Sequence, residues 1–218
     1  MNSPLIVVIG VGPGIGSAVA RKFGEQGYAV ALTARSADKL DELAGALRDE
    51  GIPADWAAVD ITDEIALTEA ITGFGRSIGH VDVLHFNPSA FRQKDPLELT
   101  ADELLEDVRL GVASLLTAVR AARSFMSTGA RITVTGSQAA DKPWHKAASL
   151  GVQKAALRNL VRSLDATLAT DGIRAASLTV NGTLAPDTAF APERVADALY
   201  ALATTRDDSW QVEVPYNG

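Results

Sequence analysis

Residues 5–16 read Leu5-Ile6-Val7-Val8-Ile9-Gly10-Val11-Gly12-Pro13-Gly14-Ile15-Gly16. The five apolar residues predict a buried strand, and a helical pattern over residues 16–26 follows the glycines directly. Glycine lacks a Cβ, so the backbone of such a turn can approach a diphosphate closely, and the positive end of the helix attracts its charge. The order of strand, glycine-rich turn and helix therefore predicts a dinucleotide-binding site rather than a plain flexible turn.

After this stretch, short β-branched runs alternate with longer helical patterns, which is typical of a parallel sheet covered by helices on both faces. The pattern predicts strands at residues 5–9, 29–33, 54–59, 81–86, 130–135, 174–180 and 211–214. It predicts helices at residues 16–26, 38–50, 62–78, 100–125, 148–170 and 192–203. Ser36 is expected to cap the second helix, and Thr100 with Glu103 has the form of a capping box. We expect one doubly wound Rossmann-type α/β domain over residues 1–218, with a seven-stranded, mainly parallel sheet.

The composition excludes several classes of function. The formal charge of −7 is spread along the chain, which argues against nucleic acid or an anionic membrane as a partner. The sequence has no cysteine, and the histidines at positions 80, 85 and 145 lack the spacing of metal ligands, so no metal site is expected. No signal-peptide pattern and no apolar run of about 18 residues is present, so a cytoplasmic location is expected.

Three motifs resemble those of the short-chain dehydrogenase/reductase family. Gly10-x-x-x-Gly14-Ile15-Gly16 is similar to the family's glycine pattern, and Asp60-Ile61 resembles its adenine-contacting pair. Asn87 stands where the family's Asn-Ala-Gly motif begins, although the chain continues with Pro88-Ser89. The resemblance runs from Leu5 to Val214 and implies an oxidoreductase that binds a nicotinamide dinucleotide at Gly10, Gly14, Ile15, Gly16, Asp60, Ile61 and Asn87.

The end of the second strand indicates which dinucleotide is bound. NAD is usually met there by a carboxylate, whereas the 2′-phosphate of NADP needs a cation. The chain reads Thr33-Ala34-Arg35-Ser36, so the Arg35 guanidinium can pair with a phosphate and Ser36 can add a hydroxyl. NADP(H) is therefore expected in preference to NAD(H).

The catalytic pattern implied by the resemblance is incomplete. Members of the family use a serine, a tyrosine and a lysine supported by an asparagine, because a cation beside a phenol stabilises the phenolate. Ser137 matches the serine and Lys154 the lysine, but Leu150 stands in the position of the tyrosine and Arg109 in that of the asparagine. A shift of register does not restore the tyrosine, since the only tyrosines are at positions 28, 200 and 216.

Other residues are candidates for the missing chemistry. His145 lies between Ser137 and Lys154 and could act as a general acid, or it is a solvent-exposed loop residue. Trp144 beside it forms an apolar wall for a ligand or packs the loop, whereas His85 is expected to be a buried core residue. Arg109 faces the same pocket as Lys154 and binds an anionic group of a small-molecule ligand, or it pairs with Asp107 or Glu106.

Three functions follow from these features. The first is an NADP(H)-dependent oxidoreductase with a degenerate site, in which His145, water or the substrate provides the proton. The second is a catalytically inactive NADP(H)-binding sensor or scaffold subunit, and the third is a lyase or isomerase without net redox change. In each case the long helices at residues 100–125 and 148–170 are apolar over more than one face, which predicts a homodimer or homotetramer.

Overall fold

The seven strands form one parallel sheet in the computed structural model, which describes residues 3–218. In chain order, the strands are β1 (Leu5–Ile9), β2 (Ala29–Ala34), β3 (Ala54–Ala58), β4 (Val83–Phe86), β5 (Arg131–Ser137), β6 (Arg174–Val180) and β7 (Glu213–Tyr216). Their spatial order is β3-β2-β1-β4-β5-β6-β7, and every neighbouring pair is parallel. The predicted doubly wound sheet is therefore confirmed, and it is parallel throughout.

Helices cover both faces of this sheet. They are α1 (Ile15–Glu25), α2 (Ala37–Asp49), α3 (Glu64–Ile78), α4 (Ala101–Val108), α5 (Ser114–Ala122), α6 (Ala148–Leu168) and α7 (Pro192–Ala203). The side chains of α3, α5 and α6 pack on one face of the sheet, and those of α1, α2 and α7 pack on the other. No helix within residues 3–218 has the length and apolarity needed to cross a membrane.

The two predicted helix caps have different outcomes. At the start of α4, the Thr100 hydroxyl accepts from the Glu103 amide while the Glu103 carboxylate accepts from the Thr100 amide, so the capping box is confirmed. Ser36 does precede α2, but its side chain makes no capping hydrogen bond. Ser36 is therefore the N-cap residue by position only, and the predicted hydroxyl contact was wrong. The Ser36 side chain is exposed at the end of β2.

The predicted helix over residues 100–125 is interrupted. A π-helical segment, Arg109–Ala113, separates α4 from α5, and a 3-10 turn, Arg123–Phe125, follows α5. Gly111 lies in this segment, where a Cβ would overlap the side-chain oxygen of Gln153 on α6. The π-helical segment is thus the place where α6 approaches the backbone between α4 and α5. Such π bulges are frequent at functional sites.

Strands β5 and β7 end later than the sequence pattern predicted. β5 continues two residues past Thr135 because Gly136 and Ser137 still pair with β6. β7 runs through Pro215, which the edge position permits because no neighbour is needed on one side of the strand. Both strand ends therefore reach the carboxyl edge of the sheet, where the candidate site lies.

Candidate functional site

The glycine turn after β1 is held by backbone contacts. The amides of Gly10 and Val11 both donate to the carbonyl oxygen of Thr33, at 3.0 and 2.9 Å. Gly10 has φ +79°, and a Cβ at this position would lie 2.5 Å from a ring carbon of Pro88. Glycine is therefore required at position 10 both by its backbone conformation and by the proline that follows β4.

The remainder of the turn leaves space for a ligand. A Cβ placed on Gly12 or Gly14 would meet no heavy atom within 4 Å, whereas one on Gly16 would contact the Val11 backbone at 3.0 Å. No side chain caps the first turn of α1; its Ser17 amide donates to the Gly12 carbonyl at 3.2 Å, which leaves the amides of Ile15 and Gly16 for an anion. Ile15 is buried in the core, so its contribution to this site would come from the backbone.

A pocket of about 830 Å³ begins at this turn and continues between α1 and α2. Its lining includes Gly12, Gly14, Ala34 and Lys39. Lys39 was missed by the sequence analysis, although it stands four residues after Arg35. Lys39 adds a cation to this pocket, whose lining also holds acids such as Glu42 and Glu193.

Arg35 and Ser36 are exposed after β2, on the same edge of the sheet. Arg35 forms no ion pair within residues 3–218, so its guanidinium is available to a ligand. Asp60 accepts hydrogen bonds from the amide and the hydroxyl of Thr62 at 2.9 and 2.8 Å. These two bonds, with a smaller contribution from the charge of Arg35, lower the pKa of Asp60. Ile61, the second residue of the predicted adenine-contacting pair, is buried.

A chain of hydrogen bonds links the glycine turn to Lys154. The Asn87 side chain donates to the Gly10 carbonyl at 3.1 Å and accepts from the Thr135 hydroxyl at 2.9 Å. The Lys154 ammonium donates to the Thr135 carbonyl at 2.8 Å. Residues from β1, β4, β5 and α6 are therefore connected at one edge, with Thr135 as a member that the sequence analysis missed.

Lys154 is a buried cation that pairs with no acid among residues 3–218. Its side chain lies beside Gly136, Ser137 and Thr179, and burial lowers its pKa to about 8. Leu150 is half-buried one helical turn before Lys154, on the same side of α6. The structure thus places Ser137 next to Lys154, with a leucine in the adjoining helical position.

The three tyrosines make other contacts. Tyr28 and Tyr200 pack edge-on against Phe23, each with ring centroids 5.1 Å apart, on the face that α1 and α7 cover. The Tyr216 hydroxyl donates to the Ala189 carbonyl at 2.6 Å. Tyr216 is nevertheless in sheet register with Val180, which is in register with Ser137.

The two histidines near this edge differ in environment. His145 is exposed in a 3-10 turn, His145–Ala147, just before α6. Trp144 beside it stacks on Phe91, with centroids 6.3 Å apart and an angle of 20° between the rings. His85 is fully buried against the Thr133 hydroxyl at 2.9 Å, and burial lowers its pKa to about 3, which confirms the interpretation as a core residue.

Arg109 lies apart from Lys154. It is exposed and lines a pocket of about 510 Å³ together with Thr62 and Arg92, and Lys154 is not among the lining residues. Asp107 and Glu106, the two acids considered as partners of Arg109, pair with Arg92 instead, each at 3.1 Å. The expectation of a pocket shared by the two cations is not met, because Arg109 lies in the segment between α4 and α5 and Lys154 lies beside Ser137 in a separate pocket.

Comparisons with known proteins identify the family of this chain. The family model described as short chain dehydrogenase matches residues 4–194. The chain is 33% identical over 172 residues to cis-4-hydroxycyclohexanecarboxylate dehydrogenase of Sinomonas cyclohexanicum, an alignment that covers 77% of this chain and 68% of that relative. The chain belongs to the short-chain dehydrogenase/reductase family, whose members bind nicotinamide cofactors, and it is an oxidoreductase of that type.

Two solved structures extend the likeness to the fold. A dehydrogenase/reductase from Sinorhizobium meliloti superimposes with a TM-score of 0.90 at 22% identity, covering 100% of this chain and 96% of that one. A metagenomic short-chain oxidoreductase, solved in complex with NADP, superimposes with a TM-score of 0.88 at 26% identity, covering 98% and 96%. The whole sheet with both helical layers is therefore common to these proteins.

Proposed function

We propose that the protein is an NADP(H)-dependent oxidoreductase whose active site lacks the usual tyrosine. One observation carries the cofactor assignment: a cation, Arg35, stands just after β2, two residues beyond the Thr33 carbonyl that holds the glycine turn, at the position where a carboxylate would favour NAD. The 2′-phosphate would bind to Arg35 and Ser36, and the diphosphate would lie against the free amides of the glycine turn from Gly12 to Gly16, which Gly10 holds in place. The bound nicotinamide supplies or accepts the hydride.

The residues near Ser137 have separate roles in this proposal. Lys154 binds the ribose hydroxyls next to the nicotinamide, and its contact with the Thr135 carbonyl fixes its position. The Ser137 hydroxyl orients the substrate oxygen. Because Leu150 has no ionisable proton, the proton comes from His145, from water or from the substrate, and Trp144 with Phe91 forms an apolar wall.

Titration of the protein with NADPH and NADH, followed by nicotinamide fluorescence, tests the cofactor assignment. NADPH should bind about tenfold more tightly than NADH, and Arg35→Leu should remove that difference, since a charge-assisted pair contributes about 1.4 kcal/mol or more. Arg76→Leu, which removes an exposed arginine at the end of α3, is the control. Equal affinities for the two nucleotides in the unmodified protein would contradict the proposal.

A second function, a catalytically inactive NADP(H)-binding sensor or scaffold subunit, is favoured by Leu150 and by the Tyr216 hydroxyl being bonded to the Ala189 carbonyl. The name of that relative supports cyclohexanones, with and without hydroxyl or carboxylate substituents, as the first compounds of a wider panel of ketones and enones. NADPH oxidation that falls sharply in His145→Ala and Lys154→Ala would support the enzyme. Tight NADPH binding without turnover on the whole panel would support the sensor.

Exposed apolar side chains support self-association through the long helices. Leu105 on α4, Leu116 on α5 and Val152 on α6 are 64%, 43% and 45% exposed. Burying them against a second copy would remove apolar surface from water. Light scattering should therefore find a dimer or tetramer.

A further inference from the structure

Three adjacent strands end at the same level at the carboxyl edge. Ser137, Val180 and Tyr216 are paired across β5, β6 and β7. The residues that directly follow them are Gln138, Asn181 and Asn217. Three carboxamide side chains therefore stand in a row just beyond the strand ends, where parallel α/β sheets bind their ligands.

These three residues line a pocket of about 390 Å³, which Asp141 and Lys142 complete. The Asn181 amide nitrogen donates to the Asn217 side-chain oxygen at 3.0 Å. Within residues 3–218, the Gln138 amide group, the Asn181 oxygen and the Asn217 amide nitrogen form no other side-chain hydrogen bond. The pocket thus presents both donors and acceptors that are not used by the protein.

The hydrogen-bonding groups of the pocket favour a hydroxyl over a carboxylate ligand. The Asp141 carboxylate is held ionised by Arg158, whose guanidinium binds it at 2.7 and 2.8 Å and lowers its pKa. Among the lining residues themselves, Asp141 is the one acid and Lys142 the one base. A hydroxyl group, which both donates and accepts, matches the carboxamides better than a carboxylate, which only accepts.

We propose that Gln138, Asn181 and Asn217 form a substrate subsite that binds a hydroxyl-bearing part of the substrate. This inference rests on the proposed oxidoreductase function, because it locates the subsite beside Ser137. It assigns the substrate to hydroxylated carbonyl compounds or polyols. The subsite is a specificity element and takes no part in proton or hydride transfer.

The test uses the side-chain amide signals of the isotope-labelled full chain in the presence of NADPH, with cis-1,2-cyclohexanediol as the probe. The diol should shift the signals of residues 138, 181 and 217 saturably, and cyclohexanol should bind about fivefold or more weakly because it offers one hydroxyl fewer. Asn217→Leu and Gln138→Leu should each weaken diol binding about tenfold. Gln211→Leu, at the opposite end of β7, should leave it unchanged.

The outcomes separate this inference from the cofactor assignment. Asn217→Leu should bind NADPH as tightly as the unmodified protein does. Both Asn217→Leu and Gln138→Leu should retain their thermal stability because neither substituted side chain is in the core. Shifts confined to other residues, or tighter binding of cyclohexanecarboxylate than of the diol, would overturn the subsite. Failure of NADPH binding alone would overturn the proposed function, and the diol titration without NADPH would then still decide the subsite.

Discussion

The two halves of the carboxyl edge are built in different ways. Around β1 and β2, the candidate cofactor site is built mainly from backbone: the amides after Gly10 and the unfilled space at Gly12 and Gly14. Around β5, β6 and β7, the candidate site is built from side chains, and there Leu150 stands at the position expected to hold the tyrosine. A backbone site depends on the fold and a few glycines, whereas a side-chain site can lose its chemistry through one substitution.

Restoring a phenol should give the largest effect. Leu150→Tyr places the hydroxyl one helical turn from Lys154, whose charge would stabilise the phenolate. A positioned general acid typically contributes 10²–10⁴-fold, so we expect NADPH-dependent turnover of an accepted ketone to rise about a hundredfold or more. Leu150→Phe supplies the ring without the hydroxyl and should give no gain, and steady-state kinetics of both variants make the measurement.

Closing the glycine turn should produce the next largest effect. Gly10→Ala forces a side chain into the left-handed conformation and against the Pro88 ring, which we expect to cost about 3 kcal/mol of unfolding free energy. Gly12→Ala adds its methyl to open space and should keep the stability while weakening NADPH binding. Chemical denaturation measures the unfolding free energy of the two variants, and NADPH titration measures their affinity. Equal losses of stability in Gly10→Ala and Gly12→Ala would contradict the different roles given to the two glycines.

The buried cation on the other half should show in the pH dependence of stability. The pKa of Lys154 is about 8 in the folded protein and near 10.5 when exposed, so the folded chain releases its proton first as the pH rises. The unfolding free energy of the unmodified protein should therefore increase by about 2 kcal/mol between pH 8 and pH 10, relative to Lys154→Met. Urea denaturation without cofactor measures this difference. If the unfolding free energies of the two proteins changed with pH in the same way, Lys154 would not be a buried ammonium with a lowered pKa.

The smallest expected effect concerns the C-terminal strand. Tyr216→Phe removes the hydrogen bond to the Ala189 carbonyl but keeps the ring against Phe190, so we expect a loss of about 1 kcal/mol. Turnover should change little. A drop in turnover as large as that of Lys154→Ala would instead make the Tyr216 phenol the missing proton donor. The half of the edge around β5, β6 and β7 would then have kept its catalytic phenol in another strand.

The sequence predicted local features better than those that depend on alignment between strands. The sheet, the glycine turn and the Thr100–Glu103 capping box follow from short-range patterns, because period, turn residues and caps act within a few positions. Gln138 and Asn217 are 79 positions apart, and only the strand register brings them together. Likewise, nothing in the pattern of residues 100–125 indicated that Asp107 and Glu106 would form ion pairs with Arg92, or that Gly111 would lie in a π-helical segment.

Gln153, which fills the space beside Gly111, also binds the segment after β4. Its side-chain oxygen accepts from the Ala90 amide at 2.9 Å, and its nitrogen donates to the Ala90 carbonyl at 3.2 Å, as a neighbouring strand would. Asn87 precedes this segment and Lys154 follows Gln153. The two hydrogen bonds of Gln153 therefore fix residues 87–90 and 149–154 relative to each other. Grafting a different reaction onto this scaffold would therefore require exchanging both segments as a single module.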